Sequence, residues 1–91
     1  MAVFCEPGMA LPQPKFNLGD WVEVHFEDFD TVARRNWWEK FRGVVAGVVW
    51  GGNYDAYQGW VYFVDAHEQE NCDLPLPYRT EALEEEVSAI A

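Results

Sequence analysis

Between Arg42 and Asp65 the chain reads RGVVAGVVWGGNYDAYQGWVYFVD, two apolar runs broken by Gly51-Gly52-Asn53-Tyr54-Asp55. β-Branched and aromatic residues suit a pleated, half-buried surface, and a Gly/Asn-rich break between two such runs is hairpin chemistry. The stretch therefore predicts two antiparallel strands. Gly43 and Gly47 interrupt the first run, which predicts a bulge or a bend where the sheet turns a corner. In the second run Trp60, Tyr62 and Val64 alternate with Val61 and Phe63. Both sides are apolar, as in a central strand covered on both faces.

Ninety-one residues make one domain near the lower limit of what folds without staples. Such a chain needs large core residues, and an aromatic fraction of 16% supplies them. No run approaches the ~18 apolar residues of a membrane helix, and the first fourteen residues lack the basic start and apolar core of a signal peptide. With only Cys5 and Cys72 present, a single bridge is open, but two free thiols in a reducing cytoplasm is the preferred reading.

The remaining segments divide by their punctuation. Residues 1–15, with Pro7, Pro12 and Pro14, read as an extended arm ahead of a single domain over 16–91. Asn17-Leu18-Gly19-Asp20 is a turn signal. Trp21 to Phe26 then alternates, Val22, Val24 and Phe26 against Trp21, Glu23 and His25, and predicts a half-buried strand. Thr31 to Arg42 holds no strict period and is read as a long loop entering a strand at Trp37 or Trp38. Ala66 to Asp73 reads as a polar loop, and Pro75 and Pro77 limit any strand over Leu74–Tyr78 to a short edge. Thr80 stands as an N-cap for a helix from Glu81 to about Ile90, with Leu83, Val87 and Ile90 on one face.

Taken together, Phe16-x-x-Gly19-Asp20-x-Val22, Gly43 and Gly47 in a Val-rich run, Trp60-x-Tyr62-x-Val64, and Leu83 after a short turn resemble the SH3-like small barrels. The resemblance covers about Phe16 to Leu83 and implies a mainly β fold, a barrel of about five antiparallel strands with a short C-terminal helix. It is a resemblance of architecture, and a shared fold does not choose a function. The chain lacks the Ala-Leu-Tyr-Asp-Tyr opening and the Pro-x-x-Tyr-Val close of the proline-motif binders, so that specificity is not implied.

A net charge of −10 excludes ordinary nucleic-acid binding, where Lys and Arg replace phosphate counterions, and disfavours anionic membranes. It allows a basic protein partner, or mimicry of nucleic acid by carboxylates. Exposed Trp and Tyr are the usual anchors of binding surfaces. The candidate site is accordingly Trp37, Trp38, Trp50, Tyr54, Asp55, Tyr57 and Trp60, rimmed by Glu27, Asp28 and Asp30, a cleft for a cationic side chain. The competing reading makes these aromatics core. Arg34, Arg35, Lys40 and Arg42 crowd one connector while Asp65 to Glu86 is acidic, a separation that favours self-association as a homodimer or simple solvation.

Metal and catalytic patterns are weak. Asp65, His67, Glu68, Glu70, Cys72 and Asp73 match neither a calcium loop nor a paired Cys zinc site. His25 beside Glu23 lacks a nucleophile, and no glycine-rich phosphate loop is present, so no cofactor is expected. The sequence reading is a small, acidic, non-catalytic interaction module. A nucleic-acid mimic is the alternative, and a small enzyme or redox accessory subunit comes third.

Overall fold

The structure is a computed structural model, and it describes residues 11–51 and 57–90. Five antiparallel strands form one open sheet: β1 (Trp21–Asp30), β2 (Arg35–Trp50), β3 (Trp60–Glu70), β4 (Tyr78–Leu83) and β5 (Val87–Ala89). Their spatial order is β4-β3-β2-β1-β5. Each of the first three pairs with its successor in the chain, and β5 returns to the far side of β1. The fold is mainly β.

The expected alternation in β1 holds. Val22 and Val24 are fully buried and Phe26 packs against the same core, while Trp21 and His25 are exposed on the other face. Gly43 and Gly47 stand where the β2–β3 register shifts. At the second shift Ala46 is the extra residue, so burial in β2 moves from Phe41, Gly43 and Val45 to the side of Val48 and Trp50, which face Tyr62 and Trp60. At the first, His67 is the extra residue of β3 and stacks on Trp21, ring centroids 6.1 Å apart. A bulge reverses which side chains face the core and bends the strand, and two of them curl this hairpin. Gly43 also lets the strands approach: a Cβ there would overlap the Asp65 carbonyl oxygen and lie 2.8 Å from Ala66 Cα.

Three expectations need correction. The helix over Glu81 to Ile90 does not form. Glu81 to Leu83 completes β4, Glu84–Glu86 is a single 3-10 turn, and Val87 begins β5. Leu83 and Val87, expected on one helical face, instead pair with Val61 and Val24 on strands at opposite sides of the sheet. Long-range pairing with buried strands outweighs the few tenths of a kcal/mol per residue that helix propensity offers. Thr80 caps nothing; it is buried inside β4, opposite Val64.

The first connector is strand rather than long loop. β1 and β2 pair without interruption from Trp21↔Val44 to Asp30↔Arg35, and only residues 31–34 turn, with Arg34 at φ 54. The polar stretch after Ala66 likewise stays in β3 to Glu70, so the loop is shorter than its composition suggests.

The core lies between the inner faces of β1, β2, β3, β4 and β5: Val22, Val24, Phe41, Val45, Tyr62, Val64, Ala66, Ala82 and Val87. Phe41 makes edge-on contacts with Phe26 and Tyr78, 5.9 and 5.3 Å between centroids. Burying each large member contributes about 1.5–3 kcal/mol. Val61, on the opposite pleat of β3, is also fully buried, so the central strand is covered on both faces there. The described end of the arm is attached: Pro12 carbonyl accepts from Trp60 Nε1 at 2.8 Å, Lys15 N–H donates to Glu84 Oε2 at 3.2 Å, and Phe16 packs edge-on against Tyr62. Cys72 is a free thiol; Cys5 lies outside the described residues.

Candidate functional site

The aromatic residues singled out in the sequence occupy two places, not one. Trp37 and Trp38 lie near the start of β2, whereas Trp50 ends it twelve residues later, roughly 35–40 Å of strand away. At the far end Trp50 and Trp60 meet edge-on at 5.3 Å, and Tyr57 hydroxyl donates to the Trp60 carbonyl at 3.4 Å. All three are half-buried, and the Trp60 indole is already engaged by the arm. This corner is mostly packing. Tyr54 and Asp55 fall outside the described residues.

The other end is different in kind. Among the described residues the β1–β2 ribbon has no core residue beyond Phe26 and Phe41, yet it carries Phe29, Trp37 and Trp38 at 54%, 41% and 36% exposure. The register sets Glu27 opposite Trp38 and Asp28 opposite Trp37, while Asp30 faces Arg35. Directly opposed residues share a face, so one side of the ribbon presents Glu27 with Trp38 and the other Asp28 with Trp37. Two members of the expected acidic rim therefore sit beside two of the expected aromatics. Sequence distance hid this, because only the tight turn at residues 31–34 brings the two segments into register.

Trp38 already has neighbours. Lys40 Nζ lies 5.7 Å from its ring centroid and His25 meets it edge-on at 6.4 Å. With Glu27 these residues line a cleft of about 200 Å³. His25 Nε2 stands 3.8 Å from Glu27 Oε2, both exposed. A neighbouring hollow of about 90 Å³ is lined by Glu23, Lys40, Arg42, Glu68, Gln69 and Glu70. There Arg42 bridges two strands, 3.3 Å from Glu23 and 3.9 Å from Glu68. His25 and Lys40 were not expected to border the aromatic site; their place follows from lying two residues from Glu27 and Trp38 on alternating strands.

Charge along the sheet is partly neutralised. Arg79 donates to both carboxylate oxygens of Asp65, at 2.7 and 3.1 Å, and the Arg79 hydrogen bond holds that carboxyl below its usual range. The basic residues expected to form a patch of their own are split, Arg42 to the acidic strand partners and Arg34 to the ribbon's turn. For Cys72, a hydrogen bond with the Leu74 backbone lowers the thiol pKa, but desolvation and the Glu39 carboxylate prevail and leave it raised. Among the described residues no group of three His, Cys, Asp or Glu side chains is placed to hold a metal ion, and no helix is long and apolar enough to cross a membrane. No protein-family model, curated protein or solved structure matches this chain.

Proposed function

We propose that this chain is a non-catalytic protein-interaction module whose binding element is the projecting part of the β1–β2 ribbon. The observation that carries the reading is the pairing of exposed Trp37 with Asp28 and exposed Trp38 with Glu27, on a ribbon with no fully buried side chain beyond Phe26 among the described residues. Solvent-exposed tryptophans beside carboxylates suit Lys or Arg side chains of a basic partner, which gain both ring and carboxylate contacts. The acidic balance of the chain would steer such a partner at long range.

The carboxylate-mimic alternative is less well supported. It needs rows of free acids, whereas Glu23, Glu68 and Asp65 are engaged by arginines, and Glu84 and Glu86 accept hydrogen bonds from Tyr62 and from Leu83 N–H. Among the described residues the one cysteine, Cys72, is not an activated nucleophile, since its pKa is raised rather than lowered, and this gives a catalytic role no support. We also read the curled sheet as an SH3-like barrel. The strand order β4-β3-β2-β1-β5, the two bulges of β2–β3 and the lone 3-10 turn between β4 and β5 support that assignment.

The test is a peptide array graded from strongly basic to acidic, probed with the protein and with a Trp37→Ala/Trp38→Ala variant. Binding should concentrate on basic peptides and fall at least tenfold in the variant. Equal binding by the variant, or a preference for acidic peptides, would remove the ribbon as the binding element.

A further inference from the structure

β5 is too short to cover its neighbour. β1 pairs with β2 over all ten residues, but with β5 only at Val22, Glu23 and Val24. Among the described residues, the flank of β1 that faces away from β2 has no strand beside it from His25 onward. Backbone groups alternate along a strand. Val45 N–H donates to the Asp20 carbonyl, which places even-numbered carbonyls toward β2, and no register shift interrupts β1. His25, Glu27 and Phe29 therefore turn their N–H and C=O groups to the open flank. Phe29 N–H agrees: it donates to Asp28 Oδ1 at 2.7 Å, a carboxylate standing where another strand's carbonyl would be. Where β5 gives way to the 3-10 turn, a cleft of about 380 Å³ opens beside this flank, lined by His25, Glu27, Glu85, Glu86, Val87 and Ser88.

We propose that the open flank of β1, from His25 to Phe29, is a strand-addition site for an extended basic segment of a partner protein, laid in line with β5. This deepens the reading of the ribbon as the binding element and rests on it. An unpaired edge is a template for main-chain hydrogen bonds, and side chains on alternate faces set the choice of segment. The choice follows from charge. Glu27 projects on one face and Asp28 on the other, and Glu85 and Glu86 border the cleft. A second copy laid antiparallel and two-fold about Glu27 or about Asp28 would set that carboxylate against its own counterpart, and like charges directly opposed destabilise a sheet. Lys or Arg opposite Glu27 and Asp28, with apolar residues opposite Phe26 and Phe29, satisfies every position. The occupant is thus a basic, β-prone segment flanked by apolar residues.

The probe is the acetylated and amidated hexapeptide Thr-Val-Lys-Arg-Val-Thr, with two N-methylated copies, one on its odd-numbered amides and one on its even-numbered amides. The full chain is titrated by ¹⁵N NMR and calorimetry. The parent peptide should bind, the amides of His25, Glu27 and Phe29 should gain exchange protection, and one N-methylated copy should lose at least tenfold while the other stays within about twofold. Such phase dependence belongs to strand addition, because only one edge of the peptide faces β1. If the parent and both copies bind alike and the signals that move are the Trp37 and Trp38 indoles, strand addition is overturned while the ribbon remains the binding element. If none of the three binds, both readings fall. If the three edge amides are protected in the free protein and its mass in solution is that of a dimer, a second copy holds the flank and the proposal is overturned.

Discussion

The hydroxyl of Tyr62 donates a 2.6 Å hydrogen bond to Glu84 Oε2, joining the start of β3 to the turn between β4 and β5. The same carboxylate oxygen accepts Lys15 N–H, so one acid fixes the turn and the end of the arm to the core. Burial, and then the bond to Glu84, push the Tyr62 phenol up to about 12. The folded state thus favours the neutral phenol over an unfolded tyrosine that ionises near ~10. The resulting stability is fully present below pH ~10 and is lost as pH rises through about 12, amounting to about 2–3 kcal/mol. Urea midpoints measured from pH 8 to 12 should fall across that window, and Tyr62→Phe should flatten much of the fall. At neutral pH the same change should cost about 1 kcal/mol, from the lost hydrogen bonds.

Gly43 and Gly47 differ in what surrounds them. Alanine at Gly43 meets backbone, the Asp65 carbonyl and Ala66 Cα, neither of which can yield without breaking the β2–β3 pairing. Gly43→Ala should destabilise by about 3 kcal/mol or abolish folding. At Gly47 the nearest atom is Phe63 Cδ2 at 3.0 Å, on a half-buried ring that can rotate. Gly47→Ala should cost about 1 kcal/mol. Denaturant melts of the two variants side by side decide the point, and equal losses would contradict it.

Stability and recognition should separate along β2. Phe41 is fully buried between Phe26 and Tyr78, so Phe41→Ala should cost about 3–5 kcal/mol. Trp37 packs into no core, and Trp37→Ala should move stability by no more than about 0.5 kcal/mol while weakening basic-peptide binding. A large melting-temperature loss for Trp37→Ala would return that residue to a structural role.

Arg79 and Asp65 form a surface pair across β3 and β4. The Arg79 hydrogen bond lowers the Asp65 pKa, so the pair's contribution is present above the usual aspartate range and fades as pH falls through the lowered value. Asp65→Asn should reduce stability slightly at neutral pH and low salt. The difference from the parent should shrink in molar salt and vanish in strong acid, because an exposed pair is screened.

Much of the sheet was legible in short-range pattern. Val22, Val24 and Phe26 announce a half-buried strand by their period, and Gly43 and Gly47 mark the register shifts because a residue without a side chain is what a bulge or close approach requires. The doubly apolar run around Val61 likewise predicted a strand covered on both faces. These features depend on neighbours in sequence, so the residues themselves carry them.

What lay beyond reach depends on partners far away in the chain. Leu83, Val87 and Ile90 share a helical spacing, and only the presence of Val61 and Val24 as strand partners decides for β4 and β5. The irregular Thr31–Arg42 segment becomes strand because β1 supplies a ladder for it. The Arg42–Asp65 stretch reads from its sequence as two scaffold strands. The tertiary register then moved the exposed aromatics to the opposite end of β2, where Trp37 and Trp38 meet Asp28 and Glu27. Side-chain period fixes which face a residue joins; the pairing of distant strands fixes which residues become neighbours and which stay exposed.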